Sequence, residues 1–348
     1  MAAIIVFKRM LALFLMMAAG FICAKIGWTD KDFSGKLSRI VVNVLNPMLV
    51  LGGVINKERG DDLYLILSNL CMMIIYFVIL FILGALVVRL LCLKGSQKSL
   101  YLMMMIFSNV GFMGIPVISS VYGDGCILLI CFYMLGYNLL LYTLGVYLTQ
   151  KSIEEDRADS AVKSDGVAGS GETGEAGKPG EAGKYGEAGK PGKSGIDRET
   201  LKKILNPGFL ACFAAIAIFA FRIPVFEPVA DFVSTMGNTA VPLSMFLIGV
   251  SVSEQSASDI LSDKKIYPFL LIRLIVIPVV MAFLVKMIPV SLPEMVVGVF
   301  IMMLAMPVGS IVVLMATEQG ADEACCVRGN VLSTLAAVLT IPVVAMML

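Results

Sequence analysis

The chain has 348 residues, of which 58% are hydrophobic and 15% charged, with a mean hydropathy of +0.90. Ordinary soluble domains carry about 25% charged residues, so this is a membrane protein; its formal net charge of +1 hides charges that sit largely in loops, and no nucleic-acid partner is expected. It contains no histidine, which rules out histidine-based nucleophilic catalysis, histidine metal ligation and a histidine proton relay.

Several apolar stretches approach or exceed the roughly 20 residues that a helix needs to cross a bilayer. Alternating barrel strands are absent, so an all-α bundle is predicted. The first stretches fall at about 5–27, 37–55, 63–91, 99–122 and 126–149. Lys8 and Arg9 precede the first apolar run, and no small-x-small cleavage site follows it, so it is read as a retained span rather than a signal peptide. Asn46-Pro47 predicts a kink in the second span.

A hydrophilic insert, 151–203, then separates the first block, 1–150, from a second, 204–348. From Gly171 to Gly195 glycine recurs every third residue, with the unit Gly-Glu-Ala-Gly-Lys repeated. This is collagen-like spacing, but only Pro179 and Pro191 fall within the run. A disordered, Gly-, Lys- and Glu-rich tether is the expectation.

The second block repeats the pattern at about 204–222, 229–251, 266–287, 294–317 and 325–347. Five spans in each block is an odd number, so equivalent spans must cross in opposite directions. Ten spans arranged as two inverted five-helix repeats are therefore predicted, with broken, crossing spans four and nine. The stretch from Asn46 to Gly52 echoes that from Val241 to Gly249, which supports the repeat. Lys31, Lys36, Arg39, Lys94, Lys98, Lys264, Lys265 and Arg328 outweigh the basic residues of the opposite loops. By the positive-inside rule both termini lie outside and the insert is cytoplasmic.

Spans four and nine are interrupted at matching places. The first break reads Ser108-Asn109-Val110-Gly111-Phe112-Met113-Gly114-Ile115-Pro116, and the second Ala305-Met306-Pro307-Val308-Gly309-Ser310. Unsatisfied backbone in hydrocarbon costs several kcal/mol per group. A break therefore persists only where protein or a wet cavity satisfies it, and paired breaks in two halves point to a transporter's binding site. Gly111 and Gly114 permit close approach, Pro116 removes a donor, and Asn109 supplies both donor and acceptor. In the second break Pro307 and Gly309 interrupt the helix beside Val308, and Ser310 offers a hydroxyl. Half-helix N-termini suit an anion such as a carboxylate.

Tyr137 and Asn138 in span five, and Asn330, Ser333 and Thr334 in span ten, flank the presumed crossing. Cavity lining and interhelical hydrogen bonding explain them equally well. Arg273 lies inside span eight, where a charge is expensive. It either serves a functional site or reaches inward toward Lys264 and Lys265. The eight cysteines form no Cys-x-x-Cys pair, so they are read as packing residues, with no metal or cofactor.

These segments resemble the auxin efflux carrier family. Asn109 to Pro116, followed by Tyr122-Gly123, is similar to its fourth-span signature. Met306-Pro307-Val308-Gly309, Ala316-Thr317-Glu318, Leu332-Ser333-Thr334 and Ile341-Pro342 are similar to its C-terminal signature, and Pro242 to Gly249 to its seventh span. The resemblance covers all ten spans but not the insert. It implies a scaffold of spans one, two, six and seven that pairs two copies into a homodimer. A mobile domain of spans three to five and eight to ten would move by an elevator-like motion. It also implies that Asn109 and the Pro307 region contact substrate, with Tyr137 near the pocket. Plant members have proline before the asparagine, where this chain has Ser108, so the first break is expected to be shaped differently.

The expected function is secondary transport of a small organic anion, auxin-like or a dicarboxylate such as malate or malonate, across the cell (plasma or inner) membrane. The expected partners are that organic acid, membrane lipid and a second copy of the chain. No Walker motif supports ATP hydrolysis, and no enzyme activity is expected. Sodium-coupled symport and a receptor without flux are the competing readings.

Overall fold

The structure, a computed structural model, describes residues 2–55, 63–167, 207–253, 263–287 and 292–347. Among these residues all regular structure is helical. The first helix, α1, spans Ala2–Lys25. Asp30 caps α2 (Lys31–Ile40) by accepting from the Phe33 amide at 2.7 Å. A π-helical turn, Val41–Leu45, carries the chain into α3 (Asn46–Gly52). There follow α4 (Leu63–Leu90), α5 (Ser96–Ile106), a π-helical turn at Val110–Gly114, and α6 (Ile115–Tyr122). Next come α7 (Ile127–Leu140), a π-helical turn at Leu141–Gly145, and α8 (Val146–Val167).

The second block holds α9 (Pro207–Phe221), α10 (Glu227–Asn238) and α11 (Ala240–Ser253). After them α12 (Ile266–Leu271) passes through a π-helical turn, Ile272–Val276, into α13 (Ile277–Met287). The chain ends with α14 (Glu294–Leu304), α15 (Ser310–Gln319) and α16 (Glu323–Ala345). Five helical segments are long and apolar enough to cross a membrane: 64–90, 124–157, 227–253, 266–287 and 324–345. Shorter apolar helices fill 11–25, 110–122, 207–221 and 294–304. Helix α8 continues to Val167, past residue 150, where the insert was expected to begin. The Gly-X-Y run lies outside the described residues.

The expected kinks take a specific form. The π-helical turns at 41–45, 110–114 and 272–276 end just ahead of Pro47, Pro116 and Pro278. Proline lacks an amide donor and its ring presses on the carbonyl four residues back. A turn widened by one residue moves that carbonyl aside without breaking the helix.

The helices pack in two groups. In one, α1 lies along α11, and α3 lies against α9 and α10. In the other, α4, α5, α7, α8 and α12–α16 pack among themselves around the two broken segments. The groups meet where α1 touches α6 and α16, where α9 touches α7, and where α11 touches the turn at 110–114. Contact inside the first group is backbone to backbone: a Cβ on Gly249 would run into the Met17 carbonyl, and one on Gly20 into that of Phe246. Leu15, Ile82, Phe213, Phe283 and Leu339 stand exposed on the outside, the apolar girdle that lipid would cover.

Candidate functional site

The two breaks meet inside the second group. Helix α5 ends at Ile106 and α14 at Leu304, and the chain beyond each leaves the helix for a few residues, extended at Phe107 and turning at Ala305, before the next helix. There Ser108 and Val308 form an antiparallel bridge. The Asn109 amide donates to Pro307 O at 2.8 Å and the Gly309 amide to Phe107 O at 2.9 Å. The backbone groups released by one break are thus taken up by the other, which is how irregular chain survives deep in an apolar bundle. Helix α16 completes the arrangement. The Val308 amide donates to Ser333 Oγ at 3.0 Å, and Asn330 Nδ2 donates to Val308 O at 2.7 Å and Ser310 Oγ at 3.3 Å.

Of the residues singled out in the sequence, Ser108, Asn109, Pro307, Val308, Gly309 and Ser310 come together at this crossing. Tyr137 joins them. Its ring packs edge-on against Phe107 with centroids 5.5 Å apart, and its hydroxyl lies 3.0 Å from the place of a Cβ on Gly309. Val110, Gly111 and Gly114 belong to the widened turn that leads into α6, and Pro116 sits in the first turn of α6. Asn138 is buried on α7 and donates to Met134 O of its own helix at 2.8 Å.

Asn109 begins the turn at 110–114 without capping it through its side chain. Its carbonyl accepts from the Gly114 amide at 2.9 Å. Its side-chain Nδ2 is buried and has no hydrogen-bond partner. Across from it stands Asn46, at the start of α3 in the other helix group. Asn46 Nδ2 is 3.5 Å from where a side chain on Gly111 would begin, and Asn46 Oδ1 is likewise buried and unpartnered. Buried polar groups are almost always satisfied; nine buried side-chain atoms lack partners among the described residues, and these two, near one break, are a candidate place for an added ligand or water. Beside it, Met17, Met113, Val117, Met245 and Ile248 line an apolar cavity between α1, α6, α11 and α16.

Arg273 enters this site rather than reaching toward Lys264 and Lys265. It is 1% exposed, in the π-helical turn between α12 and α13. Its Nη2 donates to Ser108 Oγ at 2.9 Å and Nη1 to Met105 O. The hydroxyl of Tyr76, on α4, shares a 2.7 Å hydrogen bond with the same Ser108 Oγ. Sequence reasoning missed Tyr76, because a single tyrosine in a long apolar span carries no signal of direction.

The arrangement holds two half-helix N-termini, a buried amide and a buried guanidinium at one point, among helices apolar enough for a membrane. The model of the membrane transport protein family matches residues 5–345, nearly the whole chain. The chain belongs to this family, that of the auxin efflux carriers. No curated protein matches it. Membership makes it a multi-pass membrane transport protein, and the family match runs through both breaks and across the insert.

Proposed function

We propose that this protein is a secondary carrier of small organic anions that works by alternating access, with the crossing of spans four and nine as its substrate site. The observation that carries the reading is the buried, unpartnered amide of Asn109. A buried donor left unmet costs about 1–3 kcal/mol, and a carboxylate oxygen would meet it. The helices starting at Val110 and Ser310 add partial positive charge at their N-termini, although the Val110 amide already donates to Ser108 O at 2.9 Å and the Val312 amide to Gly309 O at 3.1 Å. Ser108, Val110, Gly111, Gly114, Pro116, Tyr137, Asn138, Pro307, Val308 and Gly309 would line or shape the site around them. The adjoining apolar cavity, lined by Met17, Met113, Val117, Met245 and Ile248, would have to widen to take the nonpolar part of an organic acid.

On this reading the ten apolar stretches form two inverted repeats in the cell membrane, with both termini outside and the insert inside. The division of the helices into two groups supports an elevator-like motion. The group of α4–α8 and α12–α16 would carry the site past the group of α1–α3 and α9–α11, which would pair two copies as a homodimer.

Purified protein in liposomes should accumulate at least one labelled acid from a panel including malate, malonate, lactate and an indole acid. Asn109→Ala should lower the apparent affinity about five- to thirtyfold, given the roughly 1–2 kcal/mol that such a bond contributes, while melting like the parent. If no acid enters the liposomes, or if N109A transports unchanged, the site assignment fails.

A further inference from the structure

Arg273 is the largest fully buried side chain among the described residues, yet none of the groups it donates to is a carboxylate. Nη1 donates to Met105 O and lies 3.6 Å from Met105 Sδ; Nη2 donates to Ser108 Oγ at 2.9 Å and to Met306 O at 3.5 Å. A buried guanidinium without a compensating charge is strongly unfavourable. The compensation here comes from backbone. Met105 is in the last turn of α5, and Met306 lies just beyond the end of α14. Carbonyls at such ends have no donor within their helix, and each C-terminus carries about half a negative charge. Two ends make roughly one negative charge, and Arg273 brings one positive.

In transporters with broken helices, the C-terminal ends characteristically coordinate the coupling sodium ion or proton, while the N-terminal ends face the anionic substrate. In this chain a side chain already occupies the oxygens of the first kind. What remains is the pair of N-termini at Val110 and Ser310, together worth roughly one positive charge, beside the unpartnered Asn109 amide.

We propose that Arg273 is the resident cation of the crossing: it neutralises the two half-helix C-termini in place of a coupling ion, and so leaves a site whose charge matches a single carboxylate. Resting on the carrier reading above, this deepens it in two ways. Monocarboxylates are preferred over acids that are doubly ionised at neutral pH, and no sodium is needed.

The test uses the full-length protein in detergent and in liposomes, with sodium or with N-methyl-D-glucamine as the only bulk cation. Lactate and an indole acid should stabilise the protein and compete for uptake at concentrations at least about tenfold below those for malate and malonate. These concentrations should be the same in either cation. Arg273→Met, neutral and of similar length, should weaken monocarboxylate binding about tenfold or more, whereas Arg273→Lys, which keeps the charge, should retain the preference. Arg273→Ala should melt at a lower temperature and regain part of the loss on adding millimolar sodium or guanidinium ions, neither of which should stabilise the parent. A tenfold preference for dianions, a sodium requirement in the parent, R273M binding like the parent, or R273A insensitive to both ions would each overturn the proposal. If no acid of either class acts on the parent, the carrier reading fails instead; the response of R273A to cations, which needs no substrate, still decides the resident charge.

Discussion

Gly309 allows the sharpest test of the crossing, because its partner in the other break is backbone. A Cβ built on Gly309 would lie 2.9 Å from Ser108 O, 3.0 Å from the Tyr137 hydroxyl and 3.2 Å from Phe107 O. Tyr137 can swing, but the two carbonyls belong to the segment bridged to this one, and the Gly309 amide itself donates to Phe107 O. Gly309→Ala therefore has to push the strands apart or stretch that bond, an overpacking cost of about 1–3 kcal/mol. Gly111 lies only a few residues from the bridge in the other break, yet a Cβ there meets nothing closer than Asn46 Nδ2 at 3.5 Å, an ordinary contact. Gly111→Ala should cost less than about 1 kcal/mol, and the gain in helical propensity works in its favour. Thermal melting of the two purified variants in detergent compares them directly. At about 2–4 °C per kcal/mol for domains of a few hundred residues, G309A should melt roughly 2–12 °C below the parent and G111A close to it. Equal melting of G309A and the parent, or the reverse order of the two variants, would refute the close backbone approach on which the site is built.

Ser333→Ala removes the acceptor of the Val308 amide, a buried donor, and should cost about 1–3 kcal/mol; Ser333→Thr keeps the hydroxyl and should recover most of it. Denaturation followed by intrinsic fluorescence separates the two. Deleting 171–195, the Gly-X-Y run, should leave uptake into liposomes within about twofold of the parent if that run is the tether its Gly-, Lys- and Glu-rich composition predicts. Loss of transport with unchanged melting would instead assign the insert a working part in the mechanism.

Much of this was legible in the chain alone. Most apolar stretches coincide with helices to within a few residues, though the helix in 126–149 runs on to Val167, and the breaks at 108–116 and 305–310 lie against each other through the Ser108–Val308 bridge. Hydropathy reveals these features because the lipid requirement acts on whole segments. The direction of a single side chain is another matter. Arg273 offered two destinations, and only the π-helical turn ahead of Pro278 shows which it takes. Asn46-Pro47 was visible as a kink, but its placement opposite Gly111 depends on how α3 packs across the two helix groups. Ser108, notable in sequence for standing where plant relatives have proline, turns out to hold Arg273 and Tyr76 together. A proline there would have no hydroxyl with which to do so.

The glycine contact between α1 and α11 bears on how the protein is made. α1 is synthesised well before its closest companion, which is encoded in the second block, beyond the insert. At about 5–20 residues per second, the wait between them is on the order of ten seconds or longer. During that time the Gly20 face of α1 stands in the bilayer with a groove that lipid fills poorly, because small-residue surfaces associate through close backbone packing rather than through hydrophobicity. The first half of this chain must therefore remain an open assembly during synthesis, closed only when the Gly249 face of α11 arrives. A nascent chain halted before α11 would expose that groove to whatever insertion factors or neighbouring helices the membrane supplies.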